Sequence, residues 1–165
     1  MNQRLLVCIL LSVLLSSCGF KLRGQANLPK SLLFLYIDNQ QPAGAPPNPL
    51  LFELRQALRS NGVVLLDEAD DSSARLRIVN EDYRRRTLAT NRSGAVRKFN
   101  LEYIVTFSVF DANATPLVEA AQVSAIRNIV YDESQILGRV EGEQIAQQDM
   151  QRDVVNAILR RLQTL

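Results

Sequence analysis

Phe99-Asn-Leu-Glu-Tyr-Ile-Val-Thr-Phe-Ser-Val109 carries the clearest pattern in this chain of 165 residues. Phe99, Leu101, Tyr103, Val105, Phe107 and Val109 alternate with neighbours that are mostly polar, Asn100, Glu102, Thr106 and Ser108. A period of two sends successive side chains to opposite faces of a strand, so one face packs and the other is wetter. Upstream, Arg75-Leu76-Arg77-Ile78 alternates in the same way and opens a strand that runs on from Ala74 to about Ala89. Asn91-Arg92-Ser93-Gly94 between the two runs reads as a hairpin tip, with Gly94 available for positive φ. Downstream, Asp111 to Thr115 and Pro116 make the next turn, and Leu117 to about Val130 supplies a further strand.

Ahead of these long strands the pattern is different. Ser31 to Ile37 (SLLFLYI) is nearly all apolar and short, as in a buried strand. The segment Pro42 to Pro49 is a loop that sets up a helix, with Asn48 as N-cap and Pro49 in the first helical position. Leu50, Leu51, Leu54 and Leu58 mark its apolar face, and Asn61-Gly62 ends it. Val63 to Leu66 is another apolar strand, and strand–helix–strand at this spacing predicts a parallel pair. The acidic run Asp67 to Asp71 lacks the glycine and the spacing of a calcium loop and reads as a solvated turn. At the other end, Asp132 to Leu137 makes a short turn. A long helix follows from Gly138 or Gly142, with Ala146, Met150, Val154, Ile158 and Leu162 recurring every four residues. Gly138 and Gly142 are spaced as in a membrane-helix interface, but Arg139 and Glu141 exclude that use. The expected architecture is α+β: a two-layer sandwich of two helices on one mixed sheet of four to five strands, with a long hairpin.

The first 17 residues stand outside that domain. Arg4 and the apolar run Leu5 to Leu15 have the form of a secretory signal, too short for a permanent membrane span. The run ends Leu15-Ser16-Ser17-Cys18, which resembles the lipobox of bacterial lipoproteins. An ordinary signal followed by a chance cysteine shares the small pair, and Leu15 and Cys18 favour the lipobox. The resemblance implies lipidation of Cys18, removal of residues 1–17, a tether over 18–30 and one domain over 31–165. Each buried acyl methylene adds about 0.8 kcal/mol, so two or three chains hold a protein firmly to a bilayer. Gly19, in place of the aspartate that retains enterobacterial lipoproteins in the inner membrane, implies the periplasmic side of the outer membrane.

Composition narrows the chemistry. With Cys8 lost in the signal and Cys18 carrying lipid, no disulfide forms within the mature chain, so stability comes from packing. The chain has no histidine, which removes histidine-based triads and ordinary zinc sites. No nucleophile elbow or phosphate-binding glycine loop is present, so no enzyme and no cofactor are expected. Charge is more telling. Arg75, Arg77, Arg84, Arg85, Arg86, Arg92, Arg97 and Lys98 face only Glu81 and Asp82 in that stretch, a balance of +6, while the rest of the mature chain is −5. If the strand stays regular, Arg84 and Arg86 share one face and Arg85 points to the other; such a run is expected where the sheet projects past its helices. The plain reading is a solvated tip whose charge blunts aggregation. The functional ones are an anionic ligand or an acidic protein surface. The compartment and the absence of an aromatic among these arginines disfavour nucleic acid.

Cys18-Gly-Phe-Lys-Leu-Arg23 resembles the mature start of the LptE family of lipopolysaccharide-assembly lipoproteins. The likeness continues through the strand at 32–37, Arg59-Ser-Asn-Gly-Val63, Arg92-Ser-Gly94, Glu102-Tyr103 and Leu159-Arg-Arg-Leu162. It implies a non-catalytic α/β sandwich seated in the lumen of the outer-membrane barrel LptD, which it helps to assemble, plugs, and assists by contacting lipopolysaccharide. A basic residue of the hairpin turn is implicated there, and Arg92 matches it; Arg139 is the best counterpart of a second, at the entry to the last helix. Arg84, Arg85, Arg86, Arg97 and Lys98 join the candidate set on charge alone. The alternative is a structural lipoprotein that binds a protein partner through sheet edge and basic tip, with no lipopolysaccharide affinity.

Overall fold

The computed structural model describes residues 28–38, 46–90, 96–130 and 138–165. Five strands and two helices follow a short 3-10 turn at Lys30–Leu32: β1 (Phe34–Asp38), α1 (Pro49–Ser60), β2 (Val64–Leu66), β3 (Ala74–Thr90), β4 (Val96–Phe110), β5 (Pro116–Val130) and α2 (Gly138–Leu162). The sheet order is β2-β1-β3-β4-β5. β1 pairs in parallel with both β2 and β3, whereas β3, β4 and β5 form an antiparallel meander. Both helices lie on one face, giving the expected two-layer α+β sandwich on a mixed sheet. The lipobox, Cys18, the hairpin turn with Arg92 and the turn at 132–137 lie outside the described residues.

Helix α1 forms because its ends are chemically closed. Asn48 Oδ1 accepts from the N–H groups of Leu50 at 2.8 Å and Leu51 at 3.3 Å, and Pro49 has no N–H to satisfy. At the other end the Val63 N–H bonds to Leu58 O and the Gly62 N–H to Arg59 O, with Gly62 at φ +82°. These two bonds make a Schellman stop, in which buried Val63 and Leu58 supply the usual apolar contact. The four leucines of α1 join the core, as do Met150, Val154, Ile158 and Leu162 of α2. The acidic run is the solvated turn that its composition suggests: residues 67–72 are exposed, and buried Ser73 ties back to Asp70.

The odd-numbered residues of β4 from Phe99 to Val109 are buried against the helices, as their alternation predicts. Among the departures from regular pairing, which recur near the hairpin end between Thr87 and Thr90, two shape the strands lower down. In β3 the register shifts between Ile78 and Asn80, leaving Val79 as an extra residue. Ile78 pairs with core-facing Phe107, but beyond the bulge it is Glu81, Tyr83 and Arg85 that pair with core-facing Val105, Tyr103 and Leu101. In β5 a second irregularity lies opposite Ser108, whose Oγ accepts from the Ala120 N–H at 3.1 Å where Ala120 holds φ 42°. That contact explains why Ser108, a polar residue on the wetter face, is buried.

A polar seam joins the sheet to both helices above this level. The Tyr103 hydroxyl donates to Glu81 Oε1 and accepts from the Gln151 amide, and Glu81 Oε2 accepts from Asn48 Nδ2 at 2.6 Å. Tyr103 is 1% exposed and Gln151 5% exposed. Three elements, β3, β4 and α2, therefore meet on one hydroxyl, and Glu81 extends the seam to the N-cap of α1. Burial, then the hydrogen bond and negative charge of Glu81, push the Tyr103 hydroxyl well above its ordinary value, against an opposing effect of the Gln151 bond.

Asn48 both caps α1 and holds Glu81, so Asn48→Ala should lower unfolding stability by about 1–2 kcal/mol, read from urea melts. Tyr103→Phe should cost roughly 1–3 kcal/mol near pH 8 by stranding Glu81 and Gln151. The pH dependence has a definite sign: in the unfolded chain Tyr103 ionises near 10, in the folded chain later. Its contribution is therefore complete below pH 10 and lost above it. Urea midpoints measured from pH 9 upward should fall more steeply for the parent than for Tyr103→Phe; parallel curves would count against the seam.

Candidate functional site

The bulge at Val79 decides where the arginine run points. Arg84 pairs in register with Glu102 and Arg86 with Asn100, on the face of the sheet that carries no helix. Lys98 shares that face, flanked by Ala89 and Val130. Arg85 faces the other way, with its guanidinium carbon 3.8 Å from the centre of the Phe99 ring and Nη1 3.4 Å from Glu143 Oε2 on α2. Glu143 Oε1 also accepts from the Tyr83 hydroxyl at 3.2 Å. The parity expected from the sequence is met, but its structural reason differs. Among the described residues no helix covers this face of the sheet, so Arg84 and Arg86 are exposed without the sheet outrunning its helices. On the covered face Arg85 lies against α2 instead of projecting past it.

The basic residues are not equivalent. Arg84 is held by Asp82, with Nη2 to Oδ2 at 2.6 Å and Nε to Oδ2 at 2.7 Å, and Glu102 flanks it. Arg77, lower on the strand, pairs with Asp38 at 2.7 Å and stacks on Phe110 at 5.8 Å. Arg85 is committed to Phe99 and Glu143. Arg86 and Lys98 have no acidic partner among the described residues, and the Asn100–Asn128 amide pair, bonded at 3.0 Å, lies next to them in register. Exposed pairs such as Arg84–Asp82 contribute little to stability, but they do cancel field. The free positive charge of this face therefore lies near the open end of the hairpin, at Arg86 and Lys98. Arg97 lies on the same stretch of β4, and Arg139 is the second residue of α2. Because β3 and α2 touch through Glu143, the start of α2 and the hairpin stem form one end of the molecule.

Two residues that position this end, Glu143 and Gln151, escape a reading based on apolar periodicity. The signal is nonetheless present. Stepping back from Leu159 and Val155 by four residues reaches Gln151, Gln147 and Glu143, the polar continuation of a buried helix stripe. No helix among the described residues is long and apolar enough to cross a membrane, and none of their carboxylates group into a metal site. The chemistry of arginines, amides and paired carboxylates suits anions and charged surfaces; among the described residues this end offers no nucleophile or proton shuttle.

Comparison with known proteins agrees with this chemistry. The sequence profile of the lipopolysaccharide-assembly family LptE matches residues 35–162. The LPS-assembly lipoprotein LptE of Yersinia pestis strain Pestoides F is 27% identical over 168 aligned positions, which take in all of this chain and 78% of the relative. The protein of that name from Yersinia pseudotuberculosis serotype O:1b gives the same figures. Among solved structures, the solution structure of lipoprotein B from Nitrosomonas europaea is 31% identical, with a TM-score of 0.69 over 88% of this chain and 90% of that one. A minor lipoprotein from Acinetobacter baumannii shares the fold, with a TM-score of 0.66 at 24% identity over 82% and 94% of the two chains. This chain belongs to the LptE family of non-catalytic lipopolysaccharide-assembly lipoproteins.

Proposed function

We propose that the protein is the lipoprotein subunit of an outer-membrane lipopolysaccharide translocon, seated in the lumen of the LptD barrel that it plugs and helps to assemble. Lipid on Cys18 ties the mature chain to the periplasmic side of the outer membrane, residues 18–30 act as a tether, and 31–165 are the working domain. The basic end of the hairpin contacts lipopolysaccharide phosphate through Arg86, Lys98 and Arg97, with Arg92 at the turn and Arg139 at the start of α2; Arg84 and Arg85 frame the site. The observation that supports this reading is the pair of cations, Arg86 and Lys98, without acidic partners among the described residues, beside the Asn100–Asn128 amide pair. A planar guanidinium offers a phosphate two parallel charge-assisted hydrogen bonds.

A second reading has a specific observation in its favour. Arg84 and Arg85 already have protein partners, so part of the cluster is structural. In that reading the protein is a structural lipoprotein that meets a barrel through its sheet edge and basic tip and has no affinity for lipopolysaccharide.

One pair of experiments separates them. Arg86→Glu with Lys98→Glu, and separately Arg92→Glu with Arg139→Glu, should each weaken lipopolysaccharide binding about ten-fold or more, since a charged hydrogen bond contributes about 1.5–3 kcal/mol. The loss should be larger at low salt than at high salt. Calorimetric titration reads both. Unchanged affinity in both variants would remove the ligand role and leave the structural one. Tagged protein extracted in mild detergent should bring down a large β-barrel protein, and a preparation without one would sink both readings.

A further inference from the structure

On the helix-bearing side, below the hairpin, lies a cleft that the charge argument does not use. Its volume is about 410 Å3, with Pro47, Pro49 and Phe52 along one wall and Gln148, Gln151 and Arg152 along the other. A second hollow of about 300 Å3 adjoins it, sharing Pro49, Gln148 and Gln151 and adding Gln144 and Gln147. Helix α1 gives its leucines to the core, yet Phe52 turns away from them and is 66% exposed. One exposed ring is unremarkable alone. Here it stands in the same cleft as a stripe of glutamines at positions i, i+3, i+4 and i+7 of α2, which share one helix face.

The deepest of these amides is the most informative. Gln151 is nine-tenths buried, lines both hollows and is hydrogen-bonded to Tyr103. An amide carries donors and an acceptor together, so a side chain that meets Tyr103 at one end can meet a guest hydroxyl at the other. The ionic groups at the rim oppose each other: Glu53 is acidic, and Arg152 is drawn to Asp149 at 3.5 Å. The cleft therefore offers an apolar ring, two prolines and planar amides that donate and accept side by side, with little net charge.

We propose that this cleft binds a saccharide. A pyranose has an apolar C–H face that lies against an aromatic ring, and its paired hydroxyl or acetamido groups match the two-way hydrogen bonding of Gln148, Gln151 and Gln144. The sugars of a lipopolysaccharide and the glycan strands of a cell wall share that chemistry. The site does not depend on the anion-binding reading of the hairpin, because its lining is nearly neutral and faces the other side of the sheet.

The test uses the full-length protein purified from membranes in a detergent without a sugar headgroup. It is titrated calorimetrically with a tetramer of N-acetylglucosamine and with the oligosaccharide left after stripping acyl chains from lipopolysaccharide. At least one probe should bind at roughly 1 mM or better. Phe52→Ala and Gln148→Ala should each weaken it about five-fold or more, the loss of one neutral contact. Both side chains are exposed, so thermal melts should match the parent. Arg86→Glu with Lys98→Glu should leave binding of the uncharged tetramer unchanged. Whichever probe binds through Phe52 and Gln148 identifies the source. Binding of neither probe, or binding indifferent to both substitutions, overturns the proposal without touching the hairpin.

Discussion

One extra residue in β3 governs the upper half of the molecule. Before Val79, even-numbered side chains of that strand enter the core; after it, odd-numbered ones as far as Thr87 turn to the helix side. Had the strand run straight, Arg84 and Arg86 would face α2 and Tyr83 would face water. The bulge instead sends Glu81, Tyr83 and Arg85 to the helices, where each has a partner: Tyr103, Glu143, and Phe99 with Glu143. Inserting or losing one residue in a ladder of period two exchanges its faces, so the placement of three arginines depends on where the bulge falls.

The same switch separates charge that is spent from charge that is free. Arg85 and Tyr83 fasten the hairpin stem to the second turn of α2. On the helix-free face Arg84 is matched by Asp82, while Arg86 and Lys98, one and two register steps further out, have no acidic partner among the described residues. The +6 balance of this stretch thus overstates its field near the base of the hairpin and describes it better toward the tip. A net count over a segment measures composition. The field a partner meets is set by which cations have no carboxylate within reach.

Much of this was legible in the chain. Alternation from Phe99 to Val109, the Asn48-Pro49 start and the Asn61-Gly62 stop all act through neighbours close in sequence, and each element forms where its local chemistry places it. The bulge was not legible, because Ile78-Val79-Asn80 contains neither glycine nor proline and its irregularity is settled against β4. Nor was the reason for the bare face, since sequence periodicity reports that one face is wetter but not whether a helix ends above it. Glu143 and Gln151 were missed because apolar patterning assigns polar residues to solvent. Their partners Arg85 and Tyr103 are tens of residues away, and only tertiary packing brings them together.

The seam also marks where β3 passes from apolar to polar contacts with the helix layer. From Val105 downward the space between sheet and helices is filled by Val105, Phe107, Val109, Leu76, Ile158 and Leu162, all fully buried and apolar. Upward from Tyr103, β4 still buries Leu101 and Phe99, but the contacts made by β3 become Glu81 with Tyr103, Tyr83 with Glu143 and Arg85 with Glu143, and every residue of β3 from Arg84 to Thr90 is exposed. Apolar burial is what makes opening a region costly, so the upper hairpin separates from α2 more cheaply than the base does. The free cations belong to that upper part. The sandwich therefore carries the charge of Arg86 and Lys98 on its less apolar end, and ties that end through the buried Tyr103 hydroxyl, which joins β3, β4 and α2 directly and reaches the N-cap of α1 through Glu81.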